Sequence, residues 1–202
     1  MDNRIIGALL IVIASAFFAT AGLFVQFAEP ETTSWVALFV GMTVGGAVIL
    51  PLALARCGWS EVMKSRNRWL LISRGLISFA QVGTLFYALH SIPLTDALLF
   101  RETSPLWVPI LSAIFLHEAM PRKLWVVLAV GFFGIALVLH PQLSEFSIGY
   151  VVAVLNGLLF AIQNLLTRHL NQQHEPQERI LFYIYAVGIA TSLGPAALTF
   201  TP

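Results

Sequence analysis

Long apolar runs separated by short polar turns make up nearly the whole chain, and the runs have the length of membrane crossings. An α-helix rises 1.5 Å per residue, so about 20 mostly apolar residues cross a hydrocarbon core of about 30 Å. Seven such runs can be read, over residues 5–28, 34–55, 69–89, 94–116, 124–140, 148–167 and 180–200. Proline-containing turn signals punctuate them at Glu29-Pro30, Ile92-Pro93, Met120-Pro121, His140-Pro141 and Glu175-Pro176. The pattern predicts an all-α polytopic membrane protein with seven transmembrane helices and no separate soluble domain. The first run, preceded by Arg4, has the outline of a signal peptide, with Ala14-Ser15-Ala16 as a cleavage-like triplet. It is about twice the length of a secretory apolar core and continues past that triplet, so it is expected to span.

Composition agrees with the pattern. The 202 residues are 58% hydrophobic and 10% charged, against roughly a quarter charged in a soluble domain. Such a chain has too few charges to cover a wetted surface, and its expected partner is the lipid bilayer. A net charge of +1 offers no basic face to nucleic acid. The single cysteine, Cys57, excludes an intramolecular disulfide and most zinc sites, and reads as a small apolar residue near a helix end.

Charge position orients the runs. With the N-terminus cytoplasmic, the inner side receives Arg4, Arg56, Lys64, Arg66, Arg68, Arg122, Lys123, Arg168 and Arg179, which is nine of the eleven cations. The outer loops, 29–33, 90–93 and 141–147, receive none, and Arg74 and Arg101 fall inside runs. Cations favour the cytoplasmic side, and a wrong helix count would scramble this alternation. Trp35 then opens the second run at the outer interface, with Trp59, Trp69 and Trp125 near the inner one, where amphipathic rings prefer to sit.

A shift of 142 residues lays the sixth run on the first, matching Gly7, Val12, Phe18, Ala19 and Leu23 to Gly149, Val154, Phe160, Ala161 and Leu165. Five runs separate the two copies, so the copies are inverted in the membrane. Inverted repeats of this kind place a substrate site near mid-membrane, between the halves.

The stretch 86–139 carries a family resemblance. It contains Phe86-Tyr87-Ala88-Leu89, Ile92-Pro93-Leu94-Thr95-Asp96-Ala97, Thr103-Ser104-Pro105-Leu106, Phe115-Leu116-His117-Glu118 and the glycine-containing segment 131–139. In these residues the chain resembles the EamA-type family of the drug/metabolite transporter superfamily, and 149–168 looks like the opening of that family's second half. The resemblance implies ten helices in two five-helix halves with both termini cytoplasmic. It divides the chain into a first repeat, 5–140, and an incomplete second repeat, 147–202. By the same resemblance Glu118 matches an acidic residue after the family's fourth helix, with a capping or loop role. An incomplete repeat leaves helix faces with nothing to pack on. A partial sequence or truncated reading frame is therefore expected ahead of a naturally short protein completed by a partner chain.

Polar groups inside apolar runs are the candidates for chemistry, since a mid-membrane Arg costs about 2.5–3.5 kcal/mol on insertion scales. The fourth run carries Asp96, Arg101, Glu102, Pro105, Trp107 and Pro109. Arg101 is expected to take an anionic group, and Glu102 a cation or proton. The two stand about 100° apart on a continuous helix, so pairing between them is not expected. Pro105 and Pro109 should kink or loosen the helix as gating elements, and Trp107 could stack on a ligand or fill the core. The third run has a polar stripe of Arg74, Ser78, Gln81 and Thr84, and the sixth has Asn156, Gln163 and Thr167 with Asn164 beside them. Two stripes facing one interior suggest a hydrated cavity, or otherwise interhelical hydrogen bonds worth about 0.6 kcal/mol each. Arg74, near the inner surface, could instead snorkel. Gly41 and Gly45 suggest a close helix contact.

The predicted function is secondary transport of a small organic metabolite or drug by alternating access, with the substrate held between inverted repeats. No cofactor and no metal are expected, and no catalytic residue. The chain lacks a phosphate-cradling Gly-x-x-x-x-Gly-Lys motif and a His-Glu-x-x-His zinc motif. Both lysines, Lys64 and Lys123, fall in loops, which excludes a retinal Schiff base. The alternative is a membrane subunit that does not transport alone and pairs with a second copy or a complementing half-carrier chain. The expected location is a bacterial inner membrane.

Overall fold

The computed structural model describes residues 34–65, 67–115, 120–139 and 147–199, together with helical positions 7, 9, 12, 13, 15–17 and 20 of the first run. His117, Glu118 and His140 lie outside the described residues. The helices are α1 (Ser34–Cys57), α2 (Trp59–Met63), α3 (Arg68–Ser91), α4 (Leu94–Arg101), α5 (Ser104–Phe115), α6 (Arg122–Leu139), α7 (Ile148–Gln172) and α8 (Gln177–Thr199). Among the described residues there is no strand.

The periodicity placed these helices closely, with three differences. The fourth run divides into α4 and α5. The sixth run continues about a turn beyond its apolar stretch, to Gln172, and a short helix, α2, fills the loop after α1. Gly58, at φ 75°, makes the turn between α1 and α2, a conformation that costs a side-chain-bearing residue about 1 kcal/mol or more. By length and composition, residues 38–57, α3 and α7 are each able to cross a membrane. Their outward faces are apolar: Val40, Val44 and Val48 on α1, Leu76 on α3, Val151 and Leu155 on α7 are exposed, as are Val126, Val130, Phe133 and Leu137 on α6. Soluble monomers rarely expose apolar patches beyond a few hundred Å². The chain is an all-α integral membrane protein.

Three seams organise the bundle: α1 on α8, α3 on α7 and α3 on α8, while α4 and α5 lean on α7. Glycines set how close they come. A Cβ at Gly45 would strike the Tyr185 ring, one at Gly46 the Ile189 side chain, and one at Gly188 the Met42 sulfur. The contact expected at Gly41 and Gly45 therefore runs through Gly45-Gly46, since a Cβ at Gly41 would meet open space.

The two ends of the bundle differ. At the basic end, where α1 and α7 finish and α3 and α8 begin, a core of Ala53, Val62, Leu71, Leu170, Ile180, Phe182 and Tyr183 assembles. At the opposite end the core is Leu85, Ala88, Leu89, Ile92, Ala97, Phe100, Tyr150 and Ala153.

Candidate functional site

The fourth run is two helices, not one kinked helix. Helix α4 stops at Arg101, Glu102 and Thr103 form a turn, and α5 starts at Ser104 with Pro105 as its second residue. Pro105 has no N–H to return to the Arg101 carbonyl, and it disfavours helical backbone at the residue before it. The ladder tightens instead into short turns, Thr103 N–H to the Phe100 carbonyl at 3.1 Å and Leu106 N–H to the Thr103 carbonyl at 2.9 Å. The Thr103 hydroxyl donates to the same Phe100 carbonyl at 2.6 Å and accepts from the Trp107 indole N–H at 3.1 Å. Pro109 stays within α5, where it leaves the Pro105 carbonyl without its helical donor. Helix α7 crosses directly over this break. A Cβ at Gly157 would collide with the Phe100 carbonyl and the Thr103 hydroxyl, so only glycine permits the approach.

The structure overturns the expectation that Arg101 and Glu102 do not pair. Their guanidinium and carboxylate form an ion pair. Glu102 caps α4 with helical backbone, its N–H bonded to the Leu98 carbonyl at 3.0 Å, so the two side chains meet by bending towards each other at the helix end. Arg101 also lies over the Phe160 ring of α7, 4.3 Å from its centroid. The Arg101 side chain is only 17% exposed, whereas the Glu102 side chain is 63% exposed. Trp107 is half-buried against Phe132. Gln163 is half-buried, and its side-chain carbonyl oxygen is buried with no hydrogen-bond partner among the described residues. Asn164 is exposed.

The polar stripes of the third and sixth runs do face each other, as a zipper between α3 and α7. The Asn156 side chain, fully buried, donates to the Gln81 carbonyl at 2.5 Å and to the Thr84 hydroxyl at 3.0 Å. Its own carbonyl accepts from the Gln81 amide at 3.5 Å, a long bond. Nearer the basic end, Arg74 donates to the Thr167 hydroxyl at 2.8 Å and to the Ser78 hydroxyl. Arg74 is buried and does not snorkel. In this arrangement Arg74, Gln81 and Asn156 spend their polar groups on the neighbouring helix. Arg101, Glu102 and Trp107 stand at the helix break instead, with Phe160 of α7 against Arg101. A cavity of about 350 Å³ opens between α3 and α7 towards the basic end, lined by Leu70, Ser73, Ile77, Phe115, Ile162, Leu165, Leu166 and His169. None of the sequence-predicted site residues lines it.

Two polar clusters go beyond the sequence reading, which noted Asp96 without its partner. At the opposite end, Asp96 is buried in the first turn of α4 and accepts from the Tyr150 hydroxyl at 2.9 Å. At the basic end, buried Glu175 accepts from the Ser65 hydroxyl at 2.6 Å and the Asn67 amide at 3.4 Å, and pairs with Arg179. Burial alone would raise the Glu175 carboxyl, but these three donors together hold it below its ordinary value. Glu178, beside it, is lowered by its own backbone N–H at the helix start and by Arg56 at 3.3 Å. The available signal was the (i, i+4) spacing of Glu175 and Arg179 across a Glu-Pro helix start.

A bundle of membrane-crossing helices, one of them broken beside buried polar and charged groups, is the build of a membrane transporter. Comparison with known proteins makes the class specific. The family model of the EamA-like transporter family matches residues 5–140, and the chain belongs to that family. It is 28% identical over 188 residues to the pseudopaline exporter of Pseudomonas aeruginosa, covering 93% of this chain and 65% of that protein. It is 30% identical over 137 residues to the S-adenosylmethionine uptake transporter of Rickettsia bellii, covering 68% of this chain and 47% of that one. With the riboflavin transporter of Vibrio cholerae the identity is 25% over 187 residues, covering 90% and 61%. The chain thus spans less than two thirds of the length of these relatives. No solved structure matches.

Proposed function

We propose that this chain carries the substrate-binding part of a secondary transporter that moves a small organic metabolite or drug by alternating access. The observation that carries the reading is the Arg101–Glu102 pair at the α4–α5 break. A carboxylate at that depth is 63% exposed on the described bundle, and lipid is the one surrounding it cannot face cheaply. We read the face it occupies, with Arg101 paired to it and Phe160 beneath Arg101, as the wall of a polar cavity that Gln163 and Trp107 also line. Arg101 presents a donor fork suited to a carboxylate or phosphate, Glu102 an acceptor for an amine or a proton, and Trp107 and Phe160 flat apolar surface. Pro105 and Pro109 leave backbone carbonyls to the same cavity and supply the loosened ladder on which gating can act. Gln81, Asn156 and Arg74 form its supporting wall by fixing α3 against α7.

The cavity lies between two inverted repeats, 5–140 and 147–202. Exchange of the repeats turns the second run into the seventh, and α1 packs on α8 as the two sides of a pseudo-twofold seam would. The distribution of cations supports reading the basic end as cytoplasmic with the N-terminus inside, and the reading includes a bacterial inner membrane as the location. Relatives named as an exporter and as uptake transporters support a small-molecule cargo and leave both directions open.

The test is flux through the complete protein. Arg101→Ala and Glu102→Gln each reduce transport at least about a hundredfold, the worth of about 2.7 kcal/mol of charged hydrogen bonding. Both variants remain inserted and monodisperse. Wild-type flux in both removes the site assignment. A second reading, favoured by the uncovered face at Glu102 and Asn164, is a subunit that transports only when paired with another copy or a half-carrier chain. Cross-linking from Asn164→Cys to a separate polypeptide would favour it.

A further inference from the structure

The two ends of the α3–α7 seam are built differently, and the difference specifies how they move. At the opposite end the helices have no room between them. A Cβ at Gly149 would strike Ser91 and Ile92, Gly157 meets the α4 backbone, and α7 contributes Tyr150 and Ala153 to the apolar core there. At the basic end a cavity of about 350 Å³, open at the exposed Ser73, Phe115 and His169, lies between α3 and α7. The apolar core at that end contains a single buried residue of α7, Leu170, beside Leu71 of α3. Beyond that contact, what joins the two sides is polar. The turn after α7 reaches the loop before α3 through Ser65 to Glu175, Asn67 to Glu175 and Asn67 to Gln173. Glu175 is in turn tied to Arg179 on α8, and the Asn67 backbone N–H is held by the Ser65 hydroxyl at 2.9 Å.

Apolar interdigitation resists separation, because parting it opens a void or exposes oily surface. Hydrogen bonds at a wetted end exchange for water at small net cost. From this asymmetry we infer that Ser65, Asn67, Gln173 and Glu175 form a latch that holds the basic end of the transporter shut. Its release lets α7 swing from α3 about the packed opposite end. The inference rests on the alternating-access reading, and it adds which end is closed in this conformation, which bonds close it and where the pivot lies. Leu170 withdraws as the latch opens, widening the cavity that Leu166 and the exposed His169 already line. The Arg74–Thr167 bond lies at the level of this cavity.

The experiment uses the full-length transporter in membranes, with Cys57→Ser removing the free cysteine and Thr167→Cys as the reporter. A membrane-impermeant thiol reagent is applied from the basic-end side. The latch is broken by Ser65→Ala/Asn67→Ala, which leaves the Glu175–Arg179 pair at the start of α8 intact and so separates a latch from a helix cap. Labelling of residue 167 rises about tenfold over the background with the latch intact, the effect of losing one or two hydrogen bonds to a charged group. Reagent applied from the other side gives no rise. Unchanged labelling from the basic-end side overturns the latch. Glu175→Gln gives the same rise by a second route, and should it fail to insert, the alanine pair still decides. In Arg101→Ala labelling stays at background while transport is lost, so a failed latch and a failed substrate site give different results.

Discussion

His174 is held at φ 58°, in the left-handed region, because it closes α7. The Glu175 N–H reaches back to the Leu170 carbonyl at 3.1 Å and the His174 N–H to the Asn171 carbonyl at 3.0 Å, the paired bonds of a helix end normally closed by glycine. A side chain in that conformation costs about 1–2 kcal/mol, offset in part by the greater chain entropy of glycine. His174→Gly is therefore expected to stabilise the protein by roughly 0.5–1 kcal/mol, read as a higher melting temperature in detergent. Single residues also set the limits of sequence reading. Arg101 and Glu102 are conspicuous because charge in an apolar run is expensive, and that was visible without coordinates. Their pairing was not, because it depends on how two adjacent side chains bend at the end of α4. Asn156 and Gln163 look equivalent in the sequence, yet one is committed to α3 and the other has an unsatisfied carbonyl oxygen.

The α4–α5 break is a property of the element. Pro105 removes one backbone donor and restricts Ser104, and Thr103 takes up the Phe100 carbonyl that the interrupted ladder leaves. Pro105 stands in the first turn of α5, where a missing N–H costs little, so Pro105→Ala chiefly restores a donor to the Arg101 carbonyl and lets the α4 ladder run on into α5. The expected outcome is a protein of similar thermostability whose transport falls about tenfold or more. The worth of about 1.4 kcal/mol of misalignment at the site is enough for that loss. Wild-type flux in Pro105→Ala would mean the break positions nothing. Proline spacing announced a disturbance in the fourth run. It could not say that Pro105 would coincide with a helix start while Pro109 stayed inside α5, because tertiary packing against Gly157 makes that choice.

Across the whole molecule, Glu175 links the end of α7, the start of α8 and the loop before α3, so its ionisation acts on the assembly. Its folded value lies below the ordinary 4.5. A carboxyl lowered on folding stabilises the folded state fully above its ordinary value and loses that contribution as pH falls through the lowered one. The stability difference between wild type and Glu175→Gln should therefore be about 1.5–3 kcal/mol near neutrality. It should hold down to pH 4.5 and shrink only in stronger acid, as followed by thermal unfolding across a pH series. A difference already lost near neutrality would place the Glu175 proton elsewhere.

What the sequence determined by itself was everything that the solvent imposes. Apolar run length, the placement of cations and the expense of buried charge are local quantities, and they were enough for an all-α membrane protein with marked polar groups at depth. The family followed from ordered motifs along one stretch of chain. The tertiary structure decided what depends on distance between helices. It chose which polar residues zip α3 to α7, where Gly157 admits a broken helix, and how Ser65 and Asn67 meet Glu175 more than a hundred residues away. Those bonds join loops that no periodicity connects. They form because the packing of α3, α7 and α8 around Leu71, Leu170 and Ile180 brings the two loops together.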